Sequence, residues 1–264
     1  MWFELAQYLA VGLLSGLLAG LLGLGGGLIT VPALMWMMPE SVPDAVRIHV
    51  AVATSLAVML PTSFWSAWQH YRRQGLLWDV FRWLAPGLML GAFLSAWYAG
   101  DIPRAGLQAS FGLLALLAAL SMIFGQRVVS STHSGSKPEK SLAGLLIGAW
   151  SALAGVGGGT ITVPYLVWRG VEMRRAVGVS AACGLPIAVA GVAGFTLTRI
   201  PDEMLAMTGS FSGFIYWPAW ACVLLGSLVA IPFGARLTHY LPVKTLKQVL
   251  GVMLLFVSAR IIFG

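Results

Sequence analysis

Long apolar runs alternate with short polar breaks along this chain, and the alternation has the same plan in both halves. In the first half, apolar residues run from Trp2 to Leu22 and from Leu28 to Met38, then over about 48–68, 76–100 and 105–125. The polar stretches between them are PESVPDAVR (Pro39 to Arg47), QHYRRQG (Gln69 to Gly75) and a tight DIPR turn (Asp101 to Arg104). The second half has a broken apolar stretch at about 141–169, runs at about 175–197, 217–235 and 246–263, and an amphipathic connection from Thr198 to Tyr216. At ~1.5 Å per residue most of these runs are long enough, as helices, to cross a hydrocarbon layer of ~30 Å. Leu28 to Met38 covers roughly half of that depth and predicts one arm of a re-entrant hairpin.

An internal repeat accounts for the plan. Residues 12–32, GLLSGLLAGLLGLGGGLITVP, match residues 144–164, GLLIGAWSALAGVGGGTITVP, at 13 of 21 positions with an offset of 132, half of the 264-residue chain. Each copy breaks at a glycine cluster (Gly23, Gly25, Gly26, Gly27; Gly155, Gly157, Gly158, Gly159) and resumes as ITVP. The tails of the halves also correspond, Ile102 to Gly125 with Leu241 to Gly264. Gln126 to Lys140, QRVVSSTHSGSKPEK, has the composition of a flexible linker. The expected fold is an all-α integral membrane protein made of two inverted repeats, 1–125 and 141–264, joined by a cytoplasmic linker at 126–140. Each repeat would be a glycine-broken re-entrant helical hairpin (about 3–38 and about 141–169) followed by three transmembrane helices.

Composition turns the glycine clusters from ordinary loops into a signal. With 58% hydrophobic and 9% charged residues, and a mean hydropathy of +0.86, the chain is built for lipid. Backbone groups left unpaired in hydrocarbon cost several kcal/mol each, so a break at membrane depth must face protein or a watery cavity. Two equivalent breaks, one per half, are the sequence pointer to a transporter's substrate site. The N-terminal run carries Glu4 and no basic region, which reads as a first membrane segment and not as a cleaved signal.

The net charge of +7 does not point to nucleic acid, because the basic residues sit in short loops between apolar runs. If each broken segment is a hairpin that returns to its own side, each half has three crossings and the halves are oppositely oriented. Arg72, Arg73, Arg82, Arg127, Lys137, Lys140, Arg169, Arg174, Arg175, Arg236, Lys244 and Lys247 then fall inside, and Arg47, Arg104, Arg199 and Arg260 outside. That distribution obeys the positive-inside rule. A single straight crossing at each break would scramble it.

The breaks suggest anion chemistry. Glycine amides at a helix N-terminus supply unsatisfied donors and the positive end of a helix dipole. Thr30, Thr160 and Thr162 add hydroxyls, and Thr54, Ser55, Ser180 and Cys183 begin the spans that follow, as candidates to complete a small oxyanion pocket. Neither cysteine, Cys183 or Cys222, belongs to a CxxC or Cys/His pattern, and both read as buried thiols. Ser15 has no His or Asp partner nearby in sequence, and the glycines lack a following GK[ST], so neither a hydrolase nor a nucleotide site is expected. No cofactor, metal or catalytic group is expected. His49 opens a span on the outer side and has two readings, a proton carrier and the more common structural residue; Arg260 reads as snorkelling to the outer surface, and the tryptophans as interfacial anchors. The sequence is compatible with a homodimer and does not set the oligomeric state.

The duplicated GxGGGxxTVP pattern, the small polar residues after it and the basic central linker resemble the sulfite exporter TauE/SafE family over essentially the whole chain. That resemblance implies a bacterial inner-membrane transporter of sulfite, thiosulfate or organosulfonates such as sulfoacetate, expected to export them by alternating access; the alternatives are a passive small-anion channel and an importer of the same anions coupled to an ion. Carried to this sequence, the binding role falls on Gly25, Gly26, Gly27, Thr30, Gly157, Gly158, Gly159, Thr160 and Thr162. Leu28 stands where the second copy has Thr160, so the two breaks are not equivalent in donors.

Overall fold

The computed structural model describes residues 2–22, 26–72, 77–124, 137–201, 204, 209–237 and 243–263. The described residues form ten α-helices: α1 (Trp2–Leu22), α2 (Gly27–Met37), α3 (Arg47–Arg72), α4 (Trp78–Trp97), α5 (Arg104–Phe124), α6 (Lys137–Leu153), α7 (Gly159–Trp168), α8 (Met173–Leu197), α9 (Trp217–Leu237) and α10 (Val243–Phe263). A 3₁₀ turn at Tyr98–Asp101 links α4 to α5. One small hairpin, β1 (Phe211–Ser212) with β2 (Ile215–Tyr216), precedes α9. Six of the helices are long and apolar enough to cross a membrane: α1, α3, α4, α5, α8 and α9. Helix α6 starts at Lys137, inside the stretch whose composition suggested a linker. Residues 125–136 lie outside the described residues.

Each glycine break turns the chain back on itself. From the first break α2 runs back beside α1, so that Tyr8 Oη donates to the Met37 carbonyl at 3.0 Å. At the second, α7 returns until Arg169 pairs with Glu139 near the start of α6. With 11 and 10 residues, α2 and α7 are each about 15 Å long, half a bilayer core.

Packing follows the repeat, and it is crossed between the halves. Helix α1 of the first half lies along α9 of the second, and α6 of the second lies along α4 of the first. Glycines permit both approaches. Gly12 and Gly16 rest on the backbone of Val223 and Ser227, and their counterparts Gly144 and Gly148 rest on the backbone of Leu84 and Leu88. A side chain there would meet main-chain atoms, the close small-residue contact that membrane helices favour. Ser15 and Ser227 sit in the first of these seams, where both hydroxyls donate to the Gly12 carbonyl.

Counterpart helices meet each other antiparallel. In the α5–α10 pair Gly251 packs on Ala119, and Ser258 Oγ donates to the Gly112 carbonyl at 2.7 Å. In the α3–α8 pair Gly184 meets Ser63 and Gly191 meets Leu56. As one helix index rises, the other falls. The charges divide accordingly between the two ends of the bundle. Arg47, Arg104 and Arg260 line a common cavity, and the Arg199 backbone packs on Gly100, just before Arg104. At the far end of α4, Arg82 and Lys137 lie over the Trp83 ring.

Candidate functional site

Gly27 at the head of α2 and Gly155 in the second break are glycines for a steric reason. Gly27 packs directly on the Gly155 carbonyl and on Val156, leaving no room for a Cβ. Gly155 has φ +63°, a left-handed backbone that side-chain-bearing residues resist, and a Cβ there would lie 2.9 Å from Val52 Cα. The two breaks therefore touch. Gly26 folds back to the level of Ser15, midway along α1, where an added Cβ would be 3.2 Å from Ser15 Cβ.

Neither helix head is capped by a side chain. The Ile29 and Thr30 amides bond back to the Gly26 carbonyl at 3.1 and 3.0 Å, and the Thr162 amide to the Gly158 carbonyl at 2.8 Å. The amides of Gly27 and Leu28 at one head, and of Gly159 and Thr160 at the other, have no acceptor in their own helix. Both helices thus bring the positive ends of their dipoles to one place.

That place is hollow. Gly26 from the first break and Gly157, Gly158 and Gly159 from the second line one cavity of about 80 Å³ with Ser180, Thr62, Ser63 and Ser66. By the same measure a single water needs about 10–15 Å³. An adjoining space of about 20 Å³ is walled by Gly26, Gly27, Thr30, Ser55, Ser15 and Ser227. No acidic side chain is among the described residues that line either space.

The hydroxyls near the breaks divide into two groups. Thr30 donates to the Gly26 carbonyl at 3.0 Å, Thr160 to the Gly157 carbonyl at 3.3 Å and Ser55 to the Gly155 carbonyl at 2.8 Å. Those three protons hold the breaks in shape. Thr162 and Ser180 are buried, and their hydroxyls have no partner among the described residues. Both lie around Gly158, as does the buried Cys183: a Cβ at Gly158 would be 3.2 Å from the Ser180 carbonyl and from Cys183 Cβ, and 3.3 Å from Thr162 Oγ1. Thr54 stands apart from the cavity and accepts from the Tyr216 amide at 3.0 Å, tying α3 to β2. Gly25 lies outside the described residues.

On α3 sequence reasoning named Ser55 and missed Met59, Thr62 and Ser66, although their spacing was there to read. Ser55, Met59, Thr62 and Ser66 fall at spacings of four, three and four, one stripe of a helix, and all four line the two spaces. The stripe carries the cavity from the breaks toward the Arg72 end of α3. The opposite end of the bundle carries an aromatic cluster. There Phe214, at the tip of the β1–β2 hairpin, stacks on His49 with ring centres 5.4 Å apart and meets the Phe195 edge at 6.2 Å. His49 Nε2 bonds the Ile102 carbonyl at 3.0 Å, while its Nδ1 is buried without a partner among the described residues.

Comparison with known proteins agrees in kind. The family model for the sulfite exporter TauE/SafE matches residues 8–261. A "probable membrane transporter protein" of Haemophilus influenzae is 34% identical over 252 residues, 95% of each chain. One of Methanocaldococcus jannaschii is 27% identical, covering 93% of this chain and 92% of its own. No solved structure shows a significant match.

Proposed function

The chain belongs to the sulfite exporter TauE/SafE family and is a multi-pass membrane transporter, and on that premise we propose that it carries small sulfur oxyanions, such as sulfite, thiosulfate or an organosulfonate like sulfoacetate, out of the cell across the inner membrane. The observation that carries this reading is the pair of uncapped helix heads sharing one cavity that no acidic side chain lines among the described residues. Free amides, two positive dipole ends and the Ser180 hydroxyl, which has no partner among the described residues, make such a space favourable for one compact anion and hostile to a cation.

Alternating access between inverted halves is the proposed mechanism. Three observations support the inversion: counterpart helices touch antiparallel, short arms return to the side they left, and all four arginines expected outside sit at one end of the bundle. In this reading the polar stripe of α3 leads from the breaks toward the cytoplasmic side, and the buried Phe214 lies at the other end of the bundle. Rocking the halves about the breaks would expose the site to each side in turn.

Energetics favours the outward direction. With the cell interior negative, each anionic charge that leaves gains ~2.3 kcal/mol per 100 mV, so export of a monovalent anion needs no coupling ion. The test is flux into proteoliposomes for a panel of sulfite, thiosulfate, sulfoacetate and sulfate. Saturable uptake of one of the first three, with counterflow from preloaded vesicles, is the expected result. Current without counterflow would make the protein a channel, and no flux of any panel member would overturn the proposal.

A further inference from the structure

Arg47 heads α3, Arg104 heads α5 and Arg260 lies in the last turn of α10, far apart in sequence and near one another in space. With Asp44, Gln108 and Trp36 they wall a cavity of about 190 Å³, at the end of the bundle where His49 stacks on Phe214. Arg47 Nε is engaged, 2.9 Å from Asp44 Oδ1 and 3.2 Å from the Val42 carbonyl it donates to. Arg104 and Arg260 have no acidic partner among the described residues. Three guanidinium groups therefore face one carboxylate around an open space. Gln108, one turn beyond Arg104, adds an amide donor, and Trp36 gives an apolar wall that strengthens any charge interaction beside it. Helix α2 joins this cavity to the glycine break: Trp36 is nine residues from Gly27, about 13 Å along the axis.

The geometry points to a second anion site here, separate from the glycine-walled cavity, that takes one tetrahedral or pyramidal oxyanion through Arg104, Arg260 and the remaining nitrogens of Arg47. Guanidinium forks match pairs of oxygens on a single sulfur or phosphorus centre. Clustered, with Arg104 and Arg260 lacking an acidic partner among the described residues, they also raise the local concentration of anions at the mouth of the protein. A free sulfur or phosphorus oxyanion and the phosphate of an anionic lipid share this chemistry, and both are tested below. The site does not depend on what the glycine-walled cavity binds.

Arginine labelling with phenylglyoxal, mapped by peptide mass spectrometry on the full-length protein in nanodiscs, tests it. In neutral phosphatidylcholine, inorganic sulfate or phosphate should protect Arg104 and Arg260 while leaving Arg82 reactive, which identifies a free oxyanion as the ligand. Protection that requires phosphatidylglycerol in the disc supports the site with a lipid phosphate as its ligand. In the Arg104→Gln/Arg260→Gln variant, the ligand concentration that protects Arg47 should rise about tenfold or more, as the loss of charged hydrogen bonds implies. No protection from either source, protection of Arg82 to the same degree, or unchanged protection of Arg47 in the double variant would overturn the assignment.

Discussion

Replacing Gly158 by alanine puts one methyl group where the head of α7 rests on α8. Its Cβ would lie 3.2 Å from Cys183 Cβ, 3.2 Å from the Ser180 carbonyl oxygen and 3.3 Å from Thr162 Oγ1, each a few tenths of an ångström inside ordinary contact. All three neighbours are buried, so none can swing into solvent to make room, and the strain is relieved by lifting the α7 head away from α8. Overpacking of this kind costs about 1–3 kcal/mol, which leaves the protein folded. The free amides of Gly159 and Thr160 move with the head, and misplacement of a positioned group by about 1 Å is worth about a hundredfold in rate. A shift of a few tenths of an ångström should therefore slow sulfite flux about tenfold in proteoliposomes, with a modest fall in thermal midpoint measured on the same preparation. Cys183→Gly removes the nearest Cβ and should return most of the lost flux in the double variant. Flux of Gly158→Ala within about twofold of the unsubstituted protein would refute the reasoning, as would a double variant no faster than the single one.

Ser180→Ala removes a buried hydroxyl without a protein partner, so it should leave the thermal midpoint nearly unchanged while raising the half-saturating sulfite concentration several-fold. Ser55→Ala breaks the 2.8 Å bond to the Gly155 carbonyl and should instead lower stability by about 1–3 kcal/mol, the penalty for a buried acceptor left unpaired. Gly155→Ala combines a left-handed backbone with a Cβ 2.9 Å from Val52 Cα and should fail to accumulate folded. Gly209→Ala is the control, with φ +106° but nothing within 4 Å of its Cβ; it should fold with a loss of about 1–3 kcal/mol, the cost of the backbone strain alone. Gly148→Val drives a side chain into the Leu88 backbone and should separate α6 from α4, whereas Gly106→Val meets only side-chain atoms and should be tolerated. Size-exclusion chromatography of the detergent extract distinguishes the two.

The helices and the breaks were legible because lipid imposes a simple rule on sequence: a helix must be apolar along its length, and any interruption must have a reason. The four-glycine clusters and the half-length runs after them followed from that rule, and in the structure α2 lies beside Tyr8 of α1 and α7 beside Glu139 of α6. The roles of individual hydroxyls were not legible. Thr30 and Thr160 look like donors in the sequence, yet a hydroxyl in the first turn of a helix bonds readily to a carbonyl one turn back, and both do so. Thr54 and Ser55 are adjacent, but successive helical residues point about 100° apart, so Ser55 reaches the second break while Thr54 reaches β2. Their facing depends on where α8 and the hairpin lie, which is tertiary information. The stripe Ser55, Thr62, Ser66 on α3 was present as a pattern and legible by its spacing. The glycine seams of α1 with α9 and of α6 with α4 were not, because the backbone each glycine meets lies elsewhere in the chain. The β1–β2 hairpin, with two residues per strand and Gly213 at φ +61°, is too short to leave a periodic signal inside 198–216.

The most direct measurement is anomalous diffraction from crystals of the protein soaked with selenite, a pyramidal congener of sulfite whose selenium can be located without reference to the chain. The expected result is a peak between Gly26 and the Gly157–Gly159 segment, within hydrogen-bond reach of the α2 and α7 heads and of Ser180. An empty cavity at selenite concentrations that saturate transport, or a transported anion found only away from both breaks, would contradict the claim that the two glycine breaks form the binding site.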